Sequence, residues 1–271
     1  MVDLADRNAT AADAGAVPPA RSVPRWLVTV ASIIVILIFW EVFGRDINPI
    51  FGSYPSAIFE AFLTLLRNGK LAVALGQSIQ PFLLGYGLAI VIGVPLGLII
   101  GRFWVAEAAL GILVTGGYAM PLVALVPLLV LWFGLGFAVK AAVVFLMSVF
   151  PICINTWLGV KSVPKTLIDV GKSLVAPDSV ILRRIVLPAT LPYIMAGIKL
   201  AVGRAVVGMV IAEFFTSISG LGAIIINSAN NFDTATMFVP IFVLMLLGVT
   251  LSVSVRRLED WIAPWKASPN N

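Results

Sequence analysis

The chain of 271 residues contains no histidine and a single cysteine, Cys153, set in an apolar run. Neither a Cys/His metal cluster nor an intrachain disulfide can be built from that stock. Gly171-Lys172-Ser173 looks like the end of a P-loop, yet the glycine such a loop needs five residues earlier is Thr166, and no strand precedes it. The backbone donors that cradle a phosphate come from that glycine-rich turn, so the triplet cannot hold a nucleotide. On one side of the apolar segments Asp169, Asp178, Glu259 and Asp260 offer carboxylates, without metal-ligand spacing. What remains is a set of ionisable residues, Lys199, Arg204 and Glu213, inside one hydrophobic stretch. Ionisable side chains in such surroundings mark a solute or ion path by default. The chemistry on offer is recognition and passage rather than bond making.

The elements that position these residues must lie in a membrane. Hydrophobic residues make up 60% of the chain and charged residues 11%, against about 25% charged in soluble domains. A helix needs about 20 mostly apolar residues to cross the hydrocarbon core. Six segments meet that test, at roughly 26–43, 78–101, 106–133, 138–160, 190–215 and 235–255. With the N-terminus inside, one side collects Arg7, Arg21, Arg25, Arg102, Lys161, Lys165, Lys172, Arg183, Arg184, Arg256, Arg257 and Lys266, while the other keeps Arg45, Arg67, Lys70 and Lys140. That asymmetry obeys the positive-inside rule and accounts for the net charge of +5 without invoking nucleic acid. Residues 1–25, with Asp3, Asp6, Asp13, Pro18, Pro19 and Pro24 and no apolar core, suit a flexible cytoplasmic tail better than a signal peptide. Residues 267–271 form a second tail.

Small residues recur every fourth position in the second span, at Gly85, Ala89, Gly93, Gly97 and Gly101, and in the fifth at Gly197, Ala201 and Ala205. Such stripes let backbones approach, and they predict packing seams. Pro81, Pro95, Pro121, Pro127 and Pro151 each remove a backbone donor within a span, which predicts kinks. After the first span, Ser56 is expected to cap an amphipathic helix, with Ile58, Phe59, Phe62, Leu65 and Leu66 on its apolar face, lying at the outer interface.

Between Lys161 and Pro188 the chain turns polar. Ser162-Val163-Pro164 supplies a helix start, and Leu167, Val170, Gly171 and Leu174 line one side of that helix. Pro177 interrupts it, Asp178 or Ser179 can cap a second short helix through Ile185, and Leu187-Pro188 closes that one. On physical grounds alone, this pair of helices suits an interfacial rest on anionic headgroups and a protein-docking knob equally.

The segments from Leu167 to Leu174 and from Arg183 to Pro192 resemble the "EAA" loop of the permease subunits of bacterial binding-protein-dependent ABC importers. Pro55-Ser56-Ala57, the run from Pro121 to Leu128, Leu131-Trp132-Phe133-Gly134-Leu135-Gly136, Gly220-Leu221-Gly222 and Pro264-Trp265 are similar to the nitrate/sulfonate/taurine-type branch. The resemblance covers residues 26–266 in order. It implies an all-α integral membrane protein of the type I importer permease fold, with six transmembrane helices and a cytoplasmic coupling loop, 161–188, between the fourth and fifth. It also implies a permease homodimer, two separate ATP-binding subunits that hold the ATP and Mg, and a periplasmic or lipid-anchored binding protein. The chain would then be a transport subunit and not an enzyme, in the bacterial inner membrane, with both termini cytoplasmic. Asp169, Val170, Gly171, Lys172, Arg183 and Arg184 become the residues expected to couple to the ATPase. The chain departs from the family in placing Asp169-Val170-Gly171 where Glu-Ala-Ala is usual. It places Val175 at a family glycine, so that Pro177 is expected to set a different turn.

For the path itself the candidates are Tyr118, Met120, Arg204 and Glu213. Arg204 falls near the midplane, where it suits either an anionic solute or a tie to carbonyls or the partner chain. Glu213, nine residues on, lies on the opposite face, so the two are not expected to pair. Glu213 reads as structural or as part of an outer gate. Tyr118 and Met120 flank the Gly116-Gly117 and Pro121 break, as path lining or as packing. Residues 217–233 are expected to form a short re-entrant helix ending at Asn230-Asn231, or a surface loop. A secondary transporter would show inverted repeats with intramembrane acids, and a membrane enzyme would show clustered carboxylates or histidines; the sequence has neither.

Overall fold

The computed structural model describes residues 24–216 and 218–263; the tail expected over residues 1–25 falls almost wholly outside them, as do Pro264-Trp265 and the tail at 267–271. Among the described residues every regular element is a helix: α1 (Arg25–Arg45), α2 (Pro55–Arg67), α3 (Lys70–Arg102), α4 (Trp104–Ala119), α5 (Val126–Phe133), α6 (Phe137–Lys161), α7 (Lys165–Ser173), α8 (Asp178–Ile181), α9 (Leu187–Thr216), α10 (Leu221–Asn230) and α11 (Thr234–Ile262). Five helices are individually long and apolar enough to cross a membrane.

A sixth crossing exists only as a broken one. The stretch expected as a single third span is bent by 89° between α4 and the segment Leu122–Phe133. The 16 residues of α4 reach only about 24 Å, short of the hydrocarbon thickness. Met120 is extended, Pro121 is neither helical nor extended, a 3-10 turn covers Leu122–Leu125, and Pro127 sits in the first turn of α5, where its missing N–H costs nothing. The other prolines interrupt no helix. Pro81 and Pro95 lie within a continuous α3, and Pro151 within a continuous α6.

Those two helices form the core with α9. The α3 stripe faces α6 along its length. A Cβ on Gly97 would come within 2.5 Å of the Cys153 carbonyl oxygen, one on Gly101 within 2.5 Å of Val160 Cβ, and one on Gly93 within 3.1 Å of the Val149 carbonyl oxygen. On α9, Gly197 meets Asn155 of α6, while Ala201 and Ala205 are wholly buried. The Tyr86 hydroxyl donates to the Ile198 carbonyl at 2.7 Å, tying α3 to α9. By contrast α1 is almost entirely exposed and touches the bundle through Trp40, whose ring packs on Phe238 and Phe242 of α11.

Two local expectations are corrected. Ser56 is not the cap of α2. Tyr54 is, Pro55 takes the first helical position, and the Ser56 amide and hydroxyl bind the Glu41 carboxylate at 3.0 and 2.7 Å. The second short helix of the polar stretch is not separate either: Asp178 to Thr216 runs as one helix, with a π-helical turn at Leu182–Val186. Pro188 is the cause. It lacks an N–H and its ring would strike the carbonyl four residues back, and the wider turn, in which the Leu187 amide reaches the Leu182 carbonyl, makes room.

Candidate coupling and translocation sites

At one end of the bundle α7 projects between the ends of α6 and α8. Its C-terminus closes in a Schellman motif: the Ala176 amide donates to the Gly171 carbonyl at 3.1 Å and the Val175 amide to the Lys172 carbonyl at 2.8 Å. Val175 occupies the left-handed position of that motif, with φ of 55°. The turn a glycine would favour is therefore present with a β-branched residue in it, and Pro177 does not replace it. Left-handed backbone costs a residue with a Cβ roughly 1–2 kcal/mol. Contacts on the other side hold α7 in place. Gly171 is buried, and a Cβ there would come within 3.0 Å of Ile185 and 3.2 Å of Ile181. Gly171 thus faces inward and lets α7 lie close to the following helix, presenting nothing outward.

Its neighbours point the other way. Asp169, Val170, Lys172, Arg183 and Arg184 are exposed, together with Leu167, Leu174 and Val175. The apolar side expected of this helix is split, with Gly171 inside and Leu167, Val170 and Leu174 outside. Two ion pairs flank α7. Lys161, four residues before it, bonds Glu107 of α4, and Asp178, at the start of α8, meets Arg102 of α3 at 3.0 Å. Asp178 is thus an ion-pair partner, and the residue at the cap position is Pro177. Both sides of the projecting helix are fastened to the corner where α3 passes into α4.

Within the bundle, the Arg204 guanidinium lies 4.3 Å from the centroid of the Tyr118 ring and donates to the Tyr118 hydroxyl at 2.8 Å. The structure therefore brings together two of the four path candidates, at the foot of the α4 break. Both are half-buried, and Tyr118 is the hydrogen-bond partner of Arg204 among the described residues. Four of the five guanidinium N–H groups remain available. Met120 stands beside them, exposed, at the break itself.

Glu213 is not with them. It is completely buried at the far end of α9, where its Oε1 accepts from Lys140 Nζ at 3.1 Å and from the Ser78 hydroxyl at 2.7 Å. Its Oε2 accepts from the Gly222 amide at 2.7 Å, inside the first turn of α10. Lys140 spends its remaining donors on the Ser219 carbonyl and hydroxyl, at 2.7 and 3.1 Å. The Ser78 hydroxyl also accepts from the Leu221 amide at 2.9 Å. Gly220, with φ of 100°, leaves no room for a side chain, since a Cβ there would overlap the Glu213 carboxylate. Lys140, counted from the sequence among the basic residues of the outer side, is 1% exposed. The sequence signal for it was slight: a lone lysine one turn into an apolar span, just after the Gly134–Gly136 break.

The chain is similar to known proteins over most of its length. A family model described as "binding-protein-dependent transport system inner membrane component" matches residues 93–267. The formylaminopyrimidine transport permease protein ThiX of Halalkalibacterium halodurans is 31% identical over 236 residues, covering 86% of this chain and 93% of its own length. The putative aliphatic sulfonates transport permease protein SsuC of Bacillus subtilis is 30% identical over 265 residues, covering 96% and 95%. The taurine transport system permease protein TauC of Escherichia coli is 26% identical over 238 residues, 86% of each. Among solved structures, an inward-facing form of the MetNI methionine ABC transporter superposes with a TM-score of 0.58 at 14% identity, covering 71% of this chain and 95% of the matched one.

Proposed function

From the premise that this chain belongs to the binding-protein-dependent inner membrane component family, and so is a permease subunit of an ABC importer, we propose that its cargo is a small anionic solute passing Arg204. The observation that carries this is the Arg204–Tyr118 pair. A half-buried guanidinium in an apolar helix, stacked on one ring and with most of its donors free, is pre-oriented for an oxyanion. Relatives named for aliphatic sulfonates and taurine support a sulfonate as that oxyanion. A neutral vitamin precursor is the second reading, favoured by relatives named for formylaminopyrimidine and riboflavin.

The family implies ATPase and binding-protein partners. In our proposal two copies of the chain form the pore in a bacterial inner membrane, with α7 and both termini on the cytoplasmic side, where most Lys and Arg lie. Each α7 docks one ATP-binding subunit through Leu167, Asp169, Val170, Lys172 and Leu174, with Arg183 and Arg184 alongside; ATP and Mg reside on that subunit. Its closure moves α7, and the ion pairs to Arg102 and Glu107 carry the motion to α4 and its break. The binding protein, periplasmic or lipid-anchored, delivers solute to the opposite end.

Uptake by the reconstituted transporter, with its ATPase and binding protein, of labelled taurine, an alkanesulfonate, nitrate and formylaminopyrimidine tests the cargo. The proposal expects an anion to be carried, Arg204→Lys to retain much of that uptake, and Arg204→Gln to lose most of it while ATP hydrolysis continues. Uptake of only the neutral compound, or an Arg204→Gln variant that carries the anion normally, would sink it.

A further inference from the structure

The buried network at the end of the bundle opposite α7 is not needed to explain coupling or anion recognition, and its connectivity is specific. We infer that Lys140, Glu213 and Ser78 are positioning residues for transport: they clamp the N-terminus of α10 to α3 and α9, with Lys140 of α6 holding the carboxylate, making α10 a fixed wall of the path rather than a swinging gate. The inference goes beyond the cargo reading and rests on the permease assignment alone.

Three observations carry it. First, a helix start leaves four backbone amides without intrahelical partners. Here Gly222 gives its amide to Glu213, Leu221 to Ser78, and the cap residue Gly220 to the Gln77 side chain, at 2.7, 2.9 and 3.1 Å. The acceptors come from α9 and α3, so α10 is capped by other helices and not by its own flank. Second, the carboxylate that caps α10 is neutralised by a lysine from α6 with all three donors engaged, and both side chains are almost wholly desolvated. A fully satisfied buried pair is costly to separate, because each partner would be left as an uncompensated charge. An element that swings once per cycle is poorly served by such a joint. Third, the clamped segment walls an open pocket of about 380 Å³, between Asn68, Lys70 and Gln77 on one side and Ser219, Gly220 and Asn227 on the other. Lys140 holds Ser219 and Gln77 holds Gly220, so the network sets the shape of that wall.

Spin labels at Val73→Cys on α3 and Asn227→Cys on α10 read the distance across the pocket. The native Cys153 is buried and leaves labelling to the introduced sites. In the complete transporter the inference expects one narrow distance, unchanged between the nucleotide-free and the ATP-trapped complex. Replacing the pair by Lys140→Met with Glu213→Leu removes both charges and the acceptor, and should broaden that distance. Lys140→Met with Glu213→Gln keeps a carbonyl for the Gly222 amide and should leave it narrow. Should the first double variant not assemble, Ser78→Ala removes one acceptor while sparing the ion pair, and a broader distance is again expected. A distance that shifts on nucleotide trapping would show α10 to be a moving gate. Unbroadened distances in the Leu-containing variant, or in Ser78→Ala where that variant fails, would place the clamp elsewhere. Equal broadening in both double variants would show that the charge pair, and not the cap, holds α10. Because no solute is involved, the result stands or falls independently of the cargo.

Discussion

One helix, running from Asp178 to Thr216, carries an ion pair near each end, and the two pairs are opposites. Asp178 meets Arg102 in water, with the carboxylate 81% exposed, whereas Glu213 meets Lys140 with neither side chain more than 2% exposed. Exposed pairs are worth about 0–1 kcal/mol and can be made and broken within a working cycle. Buried, fully bonded pairs contribute little net stability when intact, yet leave a large penalty when halved. In the proposed scheme the end that answers the ATPase is fastened loosely, and the end inferred to keep its shape is fastened by a joint that does not tolerate partial loss. The strained Val175 belongs to the first end and the Gly220 turn to the second. At the loose end a valine is tolerated in left-handed backbone, while at the tight end the carboxylate itself excludes any side chain.

The largest effect that could break this contrast is at the tight end. Lys140→Met alone leaves the Glu213 carboxylate buried without a counter-charge and should cost about 3–5 kcal/mol, read as a lower unfolding temperature of the purified permease. Adding Glu213→Gln should return most of that loss. A single variant as stable as the parent would mean that water reaches the site, and the two ends would not differ in kind.

Next is coupling at the loose end. Asp169 is exposed and makes no ion pair among the described residues, so its replacement should not touch the fold. Asp169→Lys reverses the charge offered to the ATPase and should lower uptake about tenfold, or about 1.4 kcal/mol of coupling, with ATP hydrolysis retained. Transport left intact by lysine would remove the carboxylate from the coupling surface.

How far each end was readable from the sequence follows the same division. The α3 stripe was legible because small residues four apart have one use in lipid, and Gly93, Gly97 and Gly101 each meet α6 where that spacing required. The helix at 165–173 was legible from its local pattern, while at 217–233 the pattern left a short helix and a surface loop open and the structure has the helix, at 221–230. The buried network was not, since Lys140, Glu213 and Ser78 are joined only by the fold and lie up to 135 residues apart. Lys140 carries the same letter as the exposed lysines of a loop, and only its burial separates them. The prolines divide for a related reason: Pro81, Pro95 and Pro151 sit inside uninterrupted helices of the core, whereas Pro121 follows a helix too short to span. The turn at Val175 was misjudged because local preference disfavours it, and the packing of Gly171 on Ile181 and Ile185 overrides that preference.

That override is measurable. Val175→Gly removes the Cβ from a left-handed position and should stabilise the α7 turn by about 1 kcal/mol, after allowing for the extra freedom of glycine in the unfolded chain. The Ala176 amide, bonded to the Gly171 carbonyl, should then exchange with solvent about fivefold more slowly. An unchanged rate would mean that the turn opens by some other route and that the strain at Val175 is not what limits it.

The smallest effect sharpens the contrast most. Arg102→Asp or Asp178→Arg alone turns an exposed attraction into a repulsion and should change the unfolding free energy by no more than about 1 kcal/mol. Uptake should fall more than stability does, because the pair ties the start of α8 to the α3–α4 corner through which motion is proposed to pass. The swapped pair, Arg102→Asp with Asp178→Arg, restores the attraction with its poles exchanged and should recover uptake at low salt. Raising the salt should weaken that recovery, since partly exposed charges are screened over about 10 Å at 0.1 M. Lys140 and Glu213, sealed from solvent, should show no such salt dependence. If the swapped pair stays as inactive as the single variants at every salt concentration, the identity of the residues matters at that corner and not the bond between them, and the loose end would be built as specifically as the tight one.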